Sequence, residues 1–163
     1  MKSLLVLRHA KSSWKETDMA DHDRPLNKRG KNDAPRVGNL LRKERLIPEL
    51  VLSSSARRAS DTAEAAVEAS GYFPEIRQLP GFYQCDLKTF YDTLRLLPSD
   101  LDRVMIVGHN PELEQLVAAL TAETVSLPTA ALAHISLPIQ AWSELAPTTR
   151  GRLVNVYVPD RPD

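Results

Sequence analysis

Hydrophobic positions along this chain fall into two kinds of pattern. Short unbroken apolar runs stand at residues 4–7 (LLVL), 50–52 (LVL) and 104–107 (VMIV), each ending in a polar cluster. Runs this short and without alternation predict strands covered on both faces, as in a parallel sheet. Between them, Ala59, Ala63, Ala66 and Val67 recur at helical spacing, and Leu113, Leu116, Val117 and Leu120 follow i, i+3, i+4, i+7. For that second helix Asn110 is the expected cap and Pro111 fits the first turn, while Glu112 and Glu114 complement its positive end. Residues 27–46 read as a helix through Ala34, Val37, Leu40 and Leu41, with Pro35 predicting a kink or a later start. Phe90, Leu94 and Leu97 mark a further helix that Asp86 could cap. Residues 132–137 and 153–158 alternate as strands lying towards a sheet edge would. Strands alternating with helices predict a three-layer αβα sandwich around a mostly parallel sheet.

Length and composition narrow this picture. A chain of 163 residues, 42% of them apolar, with no repeat or long linker, predicts one domain over residues 1–158 and a frayed tail at 159–163. Because 21 basic side chains balance 21 acidic ones, no global field exists to hold nucleic acid or an anionic membrane. No apolar stretch approaches transmembrane length. Cys85 has no second cysteine with which to form an internal disulfide or a thiolate metal site, which suits a reducing compartment. The expected location is cytoplasmic.

The candidate chemistry collects where the three predicted core strands end. In open α/β sheets ligands bind beyond the carboxyl ends of the strands. The first run ends in Arg8 and His9, the second leads through Ser53, Ser54 and Ser55 to Arg57 and Arg58, and the third ends in Gly108, His109 and Asn110. Each cluster alone could be a strand-end charge pair, a solvated first turn, or a turn and cap. Solvated residues would scatter over both ends of the sheet, and these do not. With no carboxylate or thiol cluster beside them, the expected ligand is an anion, held without metal or cofactor, and a phosphoryl group suits arginine forks and imidazoles. His22 and His134 lack such placement and read as a surface-loop and a strand residue.

In this setting the segment Arg8-His9-Ala10-Lys11-Ser12 resembles the signature of the histidine phosphatase superfamily. Residues 54–62 (SSARRASDT) are similar to that family's second arginine motif, and Gly108-His109-Asn110-Pro111 to its second histidine motif. Asp23-Arg24-Pro25-Leu26 followed by Arg29-Gly30 adds a fourth match, in the family's order. The short chain and the variant RHAKS look most like the SixA-type phosphohistidine phosphatase branch. The resemblance implies a phosphoglycerate-mutase-like fold and His9 as a nucleophile that carries the phosphoryl group. Arg8, Arg58 and His109 would bind and polarise that group, with Ser12 and Asn110 as further pocket residues. Arg58 rather than Arg57 fits the spacing to Thr62.

Ester-cleaving members of this family generally supply a carboxylic acid for the leaving alkoxide. The region where one would stand, residues 82–87, offers Gln84 and Asp86, and Asp86 is better read as a helix cap. A phosphoramidate such as phosphohistidine can leave already protonated, so a site without an acid favours it. So does a chain too short to carry a large lid. Three readings follow: a phosphatase of phosphorelay or phosphotransfer proteins; a phosphatase of small phosphate esters or anhydrides with Asp86 as acid; and a non-catalytic module that binds phosphorylated ligands.

Overall fold

The computed structural model describes residues 1–15 and 18–159. Its elements in chain order are β1 (Lys2–Arg8), α1 (Lys28–Lys43), β2 (Leu50–Ser54), α2 (Arg57–Ser70), β3 (Glu75–Leu79), α3 (Leu87–Arg95), β4 (Arg103–Gly108), α4 (Glu112–Thr121), β5 (Leu132–Leu137) and β6 (Arg152–Tyr157). Six strands form one sheet in the order β3-β2-β4-β1-β5-β6. The four strands from β3 to β1 run parallel, and β5 and β6 are antiparallel to their neighbours.

Alternate side chains of the apolar runs enter two separate cores, which is why those runs carry no polar face. Leu4, Val6, Leu50, Leu52, Val104 and Ile106 pack with Phe90, Leu94, Leu113 and Leu116 of α3 and α4. Leu5, Leu7, Val51, Met105 and Val107 face Val37, Leu41, Ala59, Ala63 and Ala66 of α1 and α2. The result is the predicted three-layer αβα sandwich. Among the described residues no helix is long and apolar enough to cross a membrane.

Several details depart from the sequence expectation. Helix α1 starts at Lys28, capped by the Asn27 side chain, which accepts from the Gly30 amide at 2.9 Å, and it runs on through Pro35. A proline there removes one backbone donor, while Ala34, Val37 and Leu41 keep the helix anchored in the core. Asn110 does not cap α4: its Nδ2 donates to the Leu127 carbonyl at 2.8 Å, and the helix begins behind Pro111 without a side-chain cap. Of the two late strands, β5 lies inside the sheet between β1 and β6, and β6 forms an edge. The opposite edge, β3, carries mostly exposed residues and lacks the apolar run that marks a buried strand. Of the expected frayed tail, residues 160–163 lie outside the described residues.

The α1–α2 contact depends on small residues. A Cβ at Gly38 would stand 2.1 Å from the Ala66 carbonyl oxygen and 2.8 Å from the Ala69 Cβ, so only a glycine lets the two helices approach this closely. Replacing a helix-interior glycine by alanine would otherwise gain about 1 kcal/mol in propensity. We therefore expect Gly38→Ala to reverse that sign and destabilise the fold by about 1–3 kcal/mol through overpacking. Urea denaturation checks this: the midpoint should fall by about 1 M, and an unchanged or raised midpoint would show that the helices can yield.

Candidate active site

Two neighbouring parallel strands whose following helices leave to opposite faces of a sheet open a crevice between their carboxyl ends. Here β1 and β4 are such a pair, with Arg8 opposite Gly108 in register and α1 and α4 on opposite sides. The His9 amide donates to the Gly108 carbonyl at 3.0 Å, so the next residues, His9 and His109, emerge side by side with ring centroids 5.1 Å apart. A cavity of about 220 Å³ opens over them, lined by Arg8, His9, Lys11, Ser12, Trp14, Arg24, Arg58, His109, Asn110 and Thr129. Among the described residues no carboxylate lines it.

The His9 ring is held in one tautomer. Its Nδ1 lies 2.7 Å from the Ala10 carbonyl, which can only accept, so Nδ1 carries the proton and Nε2 keeps its lone pair. The Ala10 amide in turn donates to Thr62 Oγ1 at 3.0 Å, and that hydroxyl donates to the Arg58 carbonyl at 2.6 Å. Burial pushes the His9 pKa down to about 3, helped by His109, Arg58 and Arg8 and opposed by the bond to Ala10. Burial likewise takes His109 down to about 4, with Arg58 the next contributor. Both imidazoles are neutral over the physiological range. His109 Nε2 and the Ser54 hydroxyl are hydrogen-bonded at 2.8 Å, and His109 Nδ1 is buried without a partner.

Each guanidinium is fixed by backbone carbonyls and keeps a donor in reserve. Arg8 Nη1 donates to the Leu127 carbonyl at 2.9 Å, and Arg58 Nη1 to the Asp21 carbonyl at 2.8 Å. The Nε atoms of both arginines are buried and have no partner. Buried donors left unpaired are costly, and both of these belong to arginines that line the cavity. Arg58 is buried in the cavity wall, whereas Arg57 is exposed and paired with Asp61 at 3.6 Å. Of the weaker candidates, Ser12 is buried and accepts from Arg24 Nη1 at 2.8 Å, and Asn110 is spent on the Leu127 carbonyl.

Asp86 does not join them. It caps α3, accepting from the Thr89 amide at 3.0 Å and the Thr89 hydroxyl at 2.9 Å, and those bonds hold its pKa below the ordinary carboxylate value. Asp86 thus takes the capping role that the sequence favours for it, and it is not among the residues that line the cavity. His22, read as a surface-loop residue, is part-exposed, hydrogen-bonded to Ser55 Oγ at 2.9 Å and edge-on to Tyr83, and it does not line the cavity. His134 is a strand residue as expected, bonded to Ser3 Oγ at 2.9 Å.

Sequence reasoning missed Asp21. Its Oδ2 accepts from Arg58 Nη2 at 3.1 Å and from the Tyr83 hydroxyl at 2.5 Å, and its Oδ1 accepts from Arg24 Nε at 3.0 Å. The Tyr83 bond above all, then the arginines, hold its pKa at about 2 against a smaller opposing effect of burial. The i, i+3 spacing of Asp21 and Arg24 was a signal, but the approach of Arg58 and Tyr83 was not visible in the chain. Trp14, Lys11 and Thr129 are likewise brought to the cavity only by folding. Among the described residues no group of three or more His, Cys, Asp or Glu side chains is placed to hold a metal ion.

Known proteins resemble this chain in sequence and in fold. Residues 4–93 match the histidine phosphatase superfamily (branch 1). An uncharacterised chloroplastic protein of Arabidopsis thaliana is 31% identical over 152 residues, which span 88% of this chain and 70% of the plant protein. A solved structure from Agrobacterium tumefaciens, of a protein proposed to be the phosphohistidine phosphatase SixA, superimposes with a TM-score of 0.83 at 28% identity over 97% of this chain and 98% of that one. The protein histidine phosphatase SixA complexed with tungstate shares the fold, with a TM-score of 0.80 at 22% identity over 94% and 95% of the two chains. With more than half of its length matched and its fold of the SixA, phosphoglycerate-mutase-like type, the chain belongs to the histidine phosphatase superfamily, branch 1, a group of phosphatases and mutases.

Proposed function

We propose that the protein is a phosphatase that removes phosphoryl groups from phosphohistidine in proteins of the phosphorelay or phosphotransfer kind, through a phosphoryl-His9 intermediate. The observation that carries this reading is a neutral His9 whose Nε2 lone pair faces a cationic cavity in which, among the described residues, no carboxylate takes part in the lining. His9 Nε2 bonds to phosphorus while the bond to the leaving nitrogen breaks and its electron pair stays on that nitrogen. Arg8 and Arg58 neutralise charge on the equatorial oxygens. His109, held by the Ser54 hydroxyl and lining the same cavity, helps to polarise the phosphoryl group. Such preorganised donors stabilise the transition state at no reorganisation cost. Water then attacks phosphorus, releasing phosphate and restoring neutral His9.

That no carboxylate stands among the described lining residues to act as an acid supports this substrate class. An alkoxide must be protonated as it leaves, which general acid catalysis commonly accelerates by about a hundredfold to ten-thousandfold. A phosphohistidine protonated on its other ring nitrogen leaves as neutral imidazole and needs no such help. Initial rates on a phosphohistidine protein should therefore exceed those on alkyl and sugar phosphates by at least about a hundredfold. Quenched wild-type reactions should carry acid-labile phosphate on His9, with turnover abolished in a folded His9→Ala variant. Faster ester cleavage would overturn the substrate class, and label on a serine would overturn the mechanism.

The two adjacent arginines separate function from surface charge. Arg58→Ala should lower kcat/KM by about a hundredfold or more, near 3 kcal/mol of transition-state stabilisation, while Arg57→Ala should stay close to wild type. Equal effects would mean that the cavity wall has been assigned to the wrong residue.

Histidine ionisation gives a further check. An imidazole whose folded pKa lies below its unfolded value of about 6.5 binds fewer protons in the folded state, so stability falls as pH drops below about 6.5 and the loss is complete only below the folded pKa. In NMR titration of the free protein from pH 8 to 5, His9 and His109 should stay neutral, and unfolding free energy should decrease over the lower part of that range. A His9 midpoint near 6.5 would remove the basis for a neutral nucleophile.

A further inference from the structure

Trp14 stands where a buried aromatic has no reason to be. The chain's other tryptophan, Trp142, is fully buried, whereas Trp14 is 68% exposed and lines the phosphoryl cavity beside His9. One face of its indole ring is covered, because the Arg24 guanidinium carbon lies 3.4 Å from the ring centroid. Arg24 is itself only 7% exposed. It is fixed by Ser12 Oγ on one nitrogen and by Asp21 Oδ1 on another. Since Asp21 holds Arg58 through its other oxygen, the indole is braced through Arg24 and Asp21 to the guanidinium that lines the cavity wall. A ring covered on one face and still so exposed presents its second face to solvent at the cavity mouth.

We propose that this outer face of Trp14 is a subsite for a planar leaving group, which on the phosphohistidine reading above is the imidazole ring of the substrate. In the transfer step His9 Nε2 gains the bond to phosphorus, the P–N bond breaks, and the departing imidazole keeps the electron pair on that nitrogen and its proton on the other. Trp14 takes no proton and forms no bond. It stacks on the ring, orients it, and replaces water over an apolar surface that the free protein leaves exposed. The alternative, that the indole only shields Arg24, explains the covered face but not why so exposed a ring lines the same cavity as the nucleophile.

The reading predicts discrimination by leaving-group shape at constant phosphoryl chemistry. Phosphoimidazole and phosphoramidate both transfer phosphorus from nitrogen, but only the first leaves as a ring. Trp14→Ala should lower kcat/KM for phosphoimidazole roughly three- to tenfold, the usual worth of an aromatic pair, and leave phosphoramidate within about twofold. Trp14→Phe, which keeps a flat ring, should recover most of the loss. Equal losses on both substrates would show that Trp14 merely holds Arg24 in place, and no loss on either would remove the subsite; both overturn the proposal. Should the wild type cleave esters but neither nitrogen-linked substrate, the phosphohistidine reading falls separately. The subsite then stands or falls on whether Trp14→Ala impairs phenyl phosphate selectively over an alkyl phosphate.

Discussion

Strands β1 and β4 lie side by side and parallel, yet the chain leaves them towards opposite faces, to α1 from one and to α4 from the other. Everything at the site depends on this divergence. It opens a crevice above two strand ends that are otherwise held in tight register, and the bond from the His9 amide to the Gly108 carbonyl places the two imidazoles next to each other across it. The loop after β1 is then pressed on to the start of α1, where a Cβ at Gly30 would stand only 2.1 Å from the Lys11 carbonyl oxygen. A single geometric fact about two strands thus determines the pairing of His9 with His109, the course of residues 9–13 and the glycine beneath them.

Gathering cations in a crevice of a neutral protein has an energetic cost, since buried charge must be paired or solvated. The fold answers it with dipoles more than with opposite charge. Backbone carbonyls of Leu127 and Asp21 receive Arg8 and Arg58, and the histidines avoid charge by staying neutral. One carboxylate, Asp21, orients Arg58 and Arg24 without lining the cavity. The cavity therefore retains net positive potential and spare donors, which an oxyanion can satisfy and a water-filled pocket of balanced ion pairs could not.

The same economy shapes the rim. Backbone carbonyls hold Arg8 and Arg58, and Asp21, which also binds Arg58, is kept ionised by Tyr83 and two arginines. A site built in this way stabilises charge on phosphorus well and protonates a leaving group poorly. On the phosphohistidine reading proposed above, selectivity comes from what leaves, and the exposed aromatic surface of Trp14 then bears on function.

Much of this was legible in the chain because it is local. The runs at residues 4–7, 50–52 and 104–107 could only be strands covered on both faces, and a strand end followed by Arg8-His9, by Arg58 or by His109 places its side chains without reference to the rest of the fold. Asp86 was legible as a cap for the same reason, its partner being Thr89 three residues on. The role of Asn110 was not, because a distant carbonyl at Leu127 competed successfully for the side chain that local rules assign to a cap. Strand β3 escaped because an exposed edge carries no apolar run. Asp21, His22 and Trp14 escaped because their partners, Arg58, Ser55 and the cavity itself, lie on other elements, and the placement of β5 inside the sheet was a matter of pairing. Periodicity and capping report energies that act within a few residues; the crevice, its spare donors and its rim come from contacts between residues far apart in sequence, which only the closed tertiary structure decides.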